Sequence, residues 1–176
     1  MKPAFLALAF ALMFVEVGSA QEPRKFEPEY LSVFYGLGDS GQAIELERQI
    51  PNYILKGSKV LLVIPGEKSP VRFNAGSQMQ FVVHVTEDFD KAIATMQLLR
   101  FEVQHGKRQL LVKRPAKNEN FLGNGLKLNV EKYGSSSLKL VPSEGLPPGE
   151  YCVSRTTIQQ GFCFGVDAVG NQQALP

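Results

Sequence analysis

The sequence predicts an all-β chain, a β-sandwich of immunoglobulin-like or related Greek-key type with at most one short helix. Three observations carry this. Short β-prone runs recur at short spacing, each bounded by turn residues. Sixteen Gly and eleven Pro punctuate the 176 residues, which argues against long helices. A Leu-x-Pro-Gly-x-Tyr spacing at 146–151 fits the corner where a Greek-key chain crosses between sheets. The chain is 44% hydrophobic and 20% charged, so it is globular material.

Residues 1–20 read as a secretory signal peptide rather than as part of the fold. Lys2 is followed by the apolar run 3–15, and Gly18-Ser19-Ala20 supplies small residues before a cut expected between Ala20 and Gln21. The run is shorter than the roughly 20 residues that span a bilayer. No later stretch predicts a transmembrane segment, so a periplasmic or extracellular location is expected. Residues 21–29, with two Pro, form a polar leader expected to be loosely held.

A single domain is expected over residues 30–168. Residues 30–35 and 43–48 read as strands of a hairpin around the Gly-rich turn 36–41. Residues 59–64 (KVLLVI) form a continuous apolar run, read as a strand buried on both faces and ended by Pro65-Gly66. Residues 71–73 and 80–86 follow, with a turn at 74–77 between them. Asp88 can cap a helical turn near 89–94, in which Phe89, Ile93 and Met96 recur at helical spacing. Residues 97–104 and 108–113 flank His105-Gly106-Lys107, a strong hairpin signal. After a polar loop at 115–125 come runs at 126–130, 137–141, 149–153 and 162–166. Residues 169–176 read as a tail.

The C-terminal part is the most informative. Tyr151 reads as a lock whose hydroxyl bonds back to upstream backbone, with Leu146 and Gly149 shaping the corner. Cys152 and Cys163 alternate with the apolar positions Tyr151, Val153, Phe162, Phe164 and Val166. Both therefore face the opposite side, and a disulfide between them is permitted in an oxidising compartment. The alternative is two thiols packed as small apolar groups. Three segments, Val63-Ile-Pro-Gly-Glu-Lys-Ser-Pro-Val-Arg-Phe73, Leu146-Pro-Pro-Gly-Glu-Tyr151 and Phe162-Cys-Phe-Gly-Val-Asp167, resemble a set found in exported bacterial β-domain proteins of uncharacterised function. The resemblance implies an exported bacterial β-domain and no particular activity.

Catalytic, cofactor and metal motifs do not emerge. Two Cys and two His leave no room for a Cys-rich zinc module. His84 lies within an apolar run and His105 in a turn, neither with a carboxylate at ligand spacing. Ser69 lacks the Gly-x-Ser-x-Gly of a nucleophile elbow. Arg100, Lys107, Arg108, Lys113 and Arg114 form a candidate basic contact patch, for which a charged edge hairpin is the plainer reading. The net charge of +2 argues against nucleic acid. The expected function is a non-catalytic binding or structural module of the bacterial cell envelope, with a protein or glycan partner. A hydrolase or carbohydrate-binding module acting on envelope polymers is the alternative. The absence of Trp weakens the carbohydrate reading.

Overall fold

The computed structural model describes residues 25–38, 41–113, 125–156 and 160–169. Residues 1–20, read from the sequence as a signal peptide, residues 21–24 of the leader, Arg114, most of the polar loop after it and residues 170–176 lie outside the described residues. The described chain is almost entirely β, with two sheets and one short helix. Its elements are β1 (Phe34–Leu37), β2 (Ala43–Glu45), β3 (Glu47–Gln49), β4 (Asn52–Lys56), β5 (Lys59–Pro65), β6 (Arg72–Asn74) and β7 (Gln80–His84), then α1 (Phe89–Ile93), β8 (Met96–Gln104), β9 (Lys107–Lys113), β10 (Leu128–Tyr133), β11 (Ser137–Pro142), β12 (Gly149–Arg155) and β13 (Gly161–Asp167). Asp88 caps α1, its carboxylate accepting from the amides of Asp90 and Lys91.

The smaller sheet runs β10-β11-β7-β1-β2. The wider one runs β3-β13-β12-β8-β9-β5-β4, with β6 lying parallel beside β13. The expected hairpin at 30–48 forms differently. β1 starts at Phe34 and pairs with β2, but the chain then turns at buried Leu46 and enters the other sheet as β3. Leu46 is drawn into the main core, so one alternating run serves two sheets. β4 has no counterpart among the expected strands; it pairs with β5 through a tight turn at Gly57-Ser58.

The main core lies between the two sheets. Phe34, Phe81, Val83, Leu138 and Leu140 come from the smaller sheet, and Leu98, Tyr151, Val153, Phe162 and Phe164 from the wider one. Alternation sends the other side of the wider sheet into a second core, built from Leu99, Phe101, Cys152 and Cys163 with Val60, Leu62, Ile64 and Val112. Residues of β5 and β9 thus pack on β8, β12 and β13 of their own sheet, which therefore curls over.

The described part of the leader touches the smaller sheet. Glu27 accepts hydrogen bonds from the amides of Ser135 and Ser136, and His84 Nδ1 lies 3.0 Å from the Pro28 carbonyl oxygen. Phe26 packs edge-on against Tyr35.

Candidate functional site

The site is built where the curled sheet closes. Cys152 and Cys163 stand directly opposite in the β12–β13 pair and form a disulfide. On the same face, one step toward the start of β12, lies Glu150, which is buried. The loop 65–70 crosses over it. Ser69 donates its amide to Glu150 Oε2 at 2.8 Å and its hydroxyl to the Cys163 carbonyl at 3.2 Å, while accepting from the Val71 amide. This places Arg72, in β6, over Gly165 of β13, where the guanidinium leaves no room for a Cβ.

Arg72 donates to Asp167 through Nε (3.1 Å) and Nη2 (2.7 Å), and its Nη1 pairs with Glu150 Oε1. On the far side of Glu150, at 4.0 Å, is Arg108. Arg108 holds Glu47 with both terminal nitrogens (2.6 and 3.1 Å) and donates to the Pro65 and Gly66 carbonyls. Five charges thus run Asp167, Arg72, Glu150, Arg108, Glu47. Burial pushes the Glu47 carboxyl up, but hydrogen bonds from Arg108 and Gln49 outweigh it and hold the group below its ordinary range. The Arg72 hydrogen bonds hold Asp167 low against a smaller burial effect, and Arg72 itself is held charged.

Above this chain of charges opens a groove of about 840 Å³. Arg72 and Glu150 form its floor, and Gly149 also lines it. Glu67 and Lys68 of the loop, Arg100, Glu102 and Val103 of β8, and Gln109 and Leu111 of β9 stand along its sides. Glu67, Lys68, Arg100, Glu102, Val103 and Leu111 are exposed. The groove therefore offers cations, carboxylates and aliphatic side chains together.

The residues singled out from the sequence fall as follows. Tyr151 is fully buried, stacked on Phe164, and its hydroxyl donates to the Pro147 carbonyl at 2.6 Å. Leu146 is buried beside it in the main core. Arg100 is exposed in the groove, lies over the Tyr151 ring and donates to the Pro148 carbonyl. Lys107 and Lys113 are exposed. Arg108 is not part of any exposed basic patch: it is 1% exposed, because its side of β9 is the Leu110 and Val112 side that faces the second core. The patch therefore does not assemble around it. His105 is in the β8–β9 turn with positive φ.

Sequence reasoning missed Glu47, Arg72, Glu150 and Asp167 as a unit. A signal was present. Glu150 is a charged residue in a strand that is otherwise buried on both faces, and such a charge needs a partner. The three segments quoted for the resemblance, 63–73, 146–151 and 162–167, supply Arg72, Glu150 and Asp167 respectively and meet here. Among the described residues, no group of three or more His, Cys, Asp or Glu is placed to hold a metal ion, and no helix is long and apolar enough to cross a membrane. No family model, no curated protein and no solved structure matches the chain.

Proposed function

We propose that the protein is an exported binding module of the bacterial cell envelope, a Greek-key sandwich of immunoglobulin-like type that grips a segment of a partner protein in this groove. The observation that carries the reading is the groove itself, its floor fixed by the Asp167–Arg72–Glu150–Arg108–Glu47 chain and its sides left exposed. A prearranged wall loses little freedom on binding. The mixture of Lys68, Arg100, Glu67 and Glu102 with Val103 and Leu111 suits a polypeptide carrying both charges and apolar side chains. Among the described residues that line the groove the one aromatic, Phe101, is buried, which disfavours the stacking that a sugar ring uses. The Tyr151–Pro147 hydrogen bond and the shared core of the two sheets support the sandwich reading. The signal-like residues 1–20 and the resemblance to exported bacterial β-domains support export.

A hydrolase is the second reading, because Glu67 and Glu102 both line the groove. It is disfavoured at the floor, where Glu150 has one oxygen on Arg72 and the other on the Ser69 amide, so neither oxygen is free to hand a proton to a substrate.

Photo-crosslinking in intact cells tests the proposal. A photoreactive residue replacing Val103 is expected to give one dominant protein adduct, lost when Leu111→Asp is added, and the same residue replacing Ser143 is expected to give none. Release of products from envelope polymers, abolished by Glu102→Gln or Glu67→Gln, would establish the hydrolase instead. Intact-mass measurement of the exported chain is expected to show Gln21 at its start; a retained Met1 would remove the export argument.

A further inference from the structure

We infer that the groove selects an extended polypeptide segment with an acidic and a basic residue two positions apart, the acid seated on Arg100 and the base on Glu102. The selection rests on the groove reading and gives the chemistry of the partner. Arg100 and Glu102 both line the groove and are exposed on one side of β8, with Phe101 buried between them. Strand geometry sets their backbone positions about 6.7 Å apart. Among the described residues, Arg72, Arg108, Lys139 and Arg155 each have a carboxylate within ion-pair distance. Arg100 and Glu102 have no ion pair there, and each is drawn away from the other. Arg100 leans across β12: its guanidinium lies over the Tyr151 ring, and Nη2 donates to the Pro148 carbonyl at 3.3 Å. Its Nε comes within 3.3 Å of the place that a Cβ would take on Gly149. Glu102 leans the other way, with Oε2 accepting from Gln104 Nε2 at 2.9 Å.

A guanidinium placed in advance by its neighbours loses little freedom when it takes a carboxylate, and its planar fork can do so with two parallel hydrogen bonds. A carboxylate seated there is repelled from Glu102, and a cation beside Glu102 is repelled from Arg100. A segment with two acids or two bases at this spacing therefore meets one like charge. An extended chain returns to the same side at every second residue, so an acid and a base two positions apart match the wall in spacing as well as in sign. An acid and a base in adjacent positions would turn to opposite sides. The floor offers no rival cation, because Arg72 is taken by Asp167 and Glu150. Val103 and Leu111 also line the groove, 48% and 43% exposed, and favour aliphatic residues next to the charged pair.

NMR titration of the chain starting at Gln21 with capped pentapeptides is the test. Val-Glu-Val-Lys-Val is expected to shift the Arg100 Nε–H and Val103 methyl signals to saturation. Val-Glu-Lys-Val-Val, Val-Glu-Val-Glu-Val and Val-Lys-Val-Lys-Val are each expected to bind about fivefold more weakly, the upper range for one exposed ion pair. Two charge reversals separate recognition from a mere loss of fold. Arg100→Glu is expected to prefer Val-Lys-Val-Lys-Val, and Glu102→Lys to prefer Val-Glu-Val-Glu-Val. No saturable shift with Val-Glu-Val-Lys-Val, equal affinity for all four peptides, or an unchanged preference in both variants would overturn the inference. The Val103 photo-adduct tests the groove reading separately. An adduct that neither Arg100→Glu nor Glu102→Lys diminishes would keep the groove and refute the charge pairing, and no adduct at all would remove both.

Discussion

Arg108 shows how one side chain can decide whether a sheet stays curled. β9 lies four strands from β3 in the order of the wider sheet, which is about 19 Å if the sheet were flat. The 2.6 Å contact between Arg108 and Glu47 exists only because the sheet bends back on itself. Removing the guanidinium leaves Glu47 and Glu150 facing each other across a buried gap. Arg108→Ala is therefore expected to destabilise the protein by about 3–5 kcal/mol, read as a drop in the urea midpoint. Arg108→Lys should recover only part, since an ammonium cannot hold both Glu47 oxygens and two carbonyls in one plane. A shift no larger than that of an exposed Lys113→Ala control would show that the pair contributes nothing. Tyr151 is a milder case. Tyr151→Phe keeps the stacking on Phe164 and loses one hydrogen bond to Pro147, for an expected cost of about 1 kcal/mol. A much larger loss would mean that the hydroxyl holds the whole corner.

At the scale of elements, the β12–β13 hairpin joins both cores. Its Tyr151, Val153, Phe162 and Phe164 face one, and its disulfide faces the other beside Leu99 and Phe101. Reductant alone is expected to leave the disulfide intact in the folded protein, because both cysteines are buried. Alkylation followed by mass measurement should show thiols only once denaturant is added. A Cys152→Ala/Cys163→Ala variant should lose about 2–4 kcal/mol; unchanged stability would mean that the unfolded chain is little constrained by the bond. This hairpin was legible in the sequence because strict alternation assigns every residue a face. The β8–β9 hairpin was legible because His105-Gly106 is a turn in which both residues take positive φ. β4 was less legible. All five of its residues are exposed, so no alternation marks it, although Gly57-Ser58 between Lys56 and Lys59 is a two-residue hairpin signal. The docking of the leader had no periodic signal at all, since it rests on a few polar contacts such as Glu27 on Ser135. The charge chain was illegible for a third reason: its members are far apart in sequence, and Arg108 taken by its charge reads as surface. Its alternation with Leu110 and Val112 was the better guide.

For the whole molecule, the closure of the curled sheet ties stability to acid. Glu47, Asp167 and Glu27 all have carboxyl groups held below their ordinary range in the folded protein. Hydrogen bonds to Arg108 and Gln49 outweigh burial at Glu47, those from Arg72 dominate at Asp167, and the Ser135 amide leads at Glu27. A depressed folded value means that the unfolded chain takes up protons first as pH falls. The stabilisation is thus fully present above the ordinary values, 4.5 for Glu and 3.8 for Asp, and drains away as pH drops through the lower folded values. Urea midpoints should accordingly be flat from neutral pH to about pH 5 and fall below it. Glu47→Gln separates the contribution of the closure from the rest. It should be less stable than the native protein at pH 7, because Arg108 then lacks its charged partner, and its midpoint should fall less steeply as pH drops below the ordinary Glu value of 4.5. Once pH falls below the lowered folded value of Glu47 the two proteins should converge, since the protonated carboxyl and the amide that replaces it in the variant are then both uncharged toward Arg108. Parallel curves across the whole range would mean that Glu47 titrates alike in the folded and unfolded chains, and that the sheet is held curled by the second core alone.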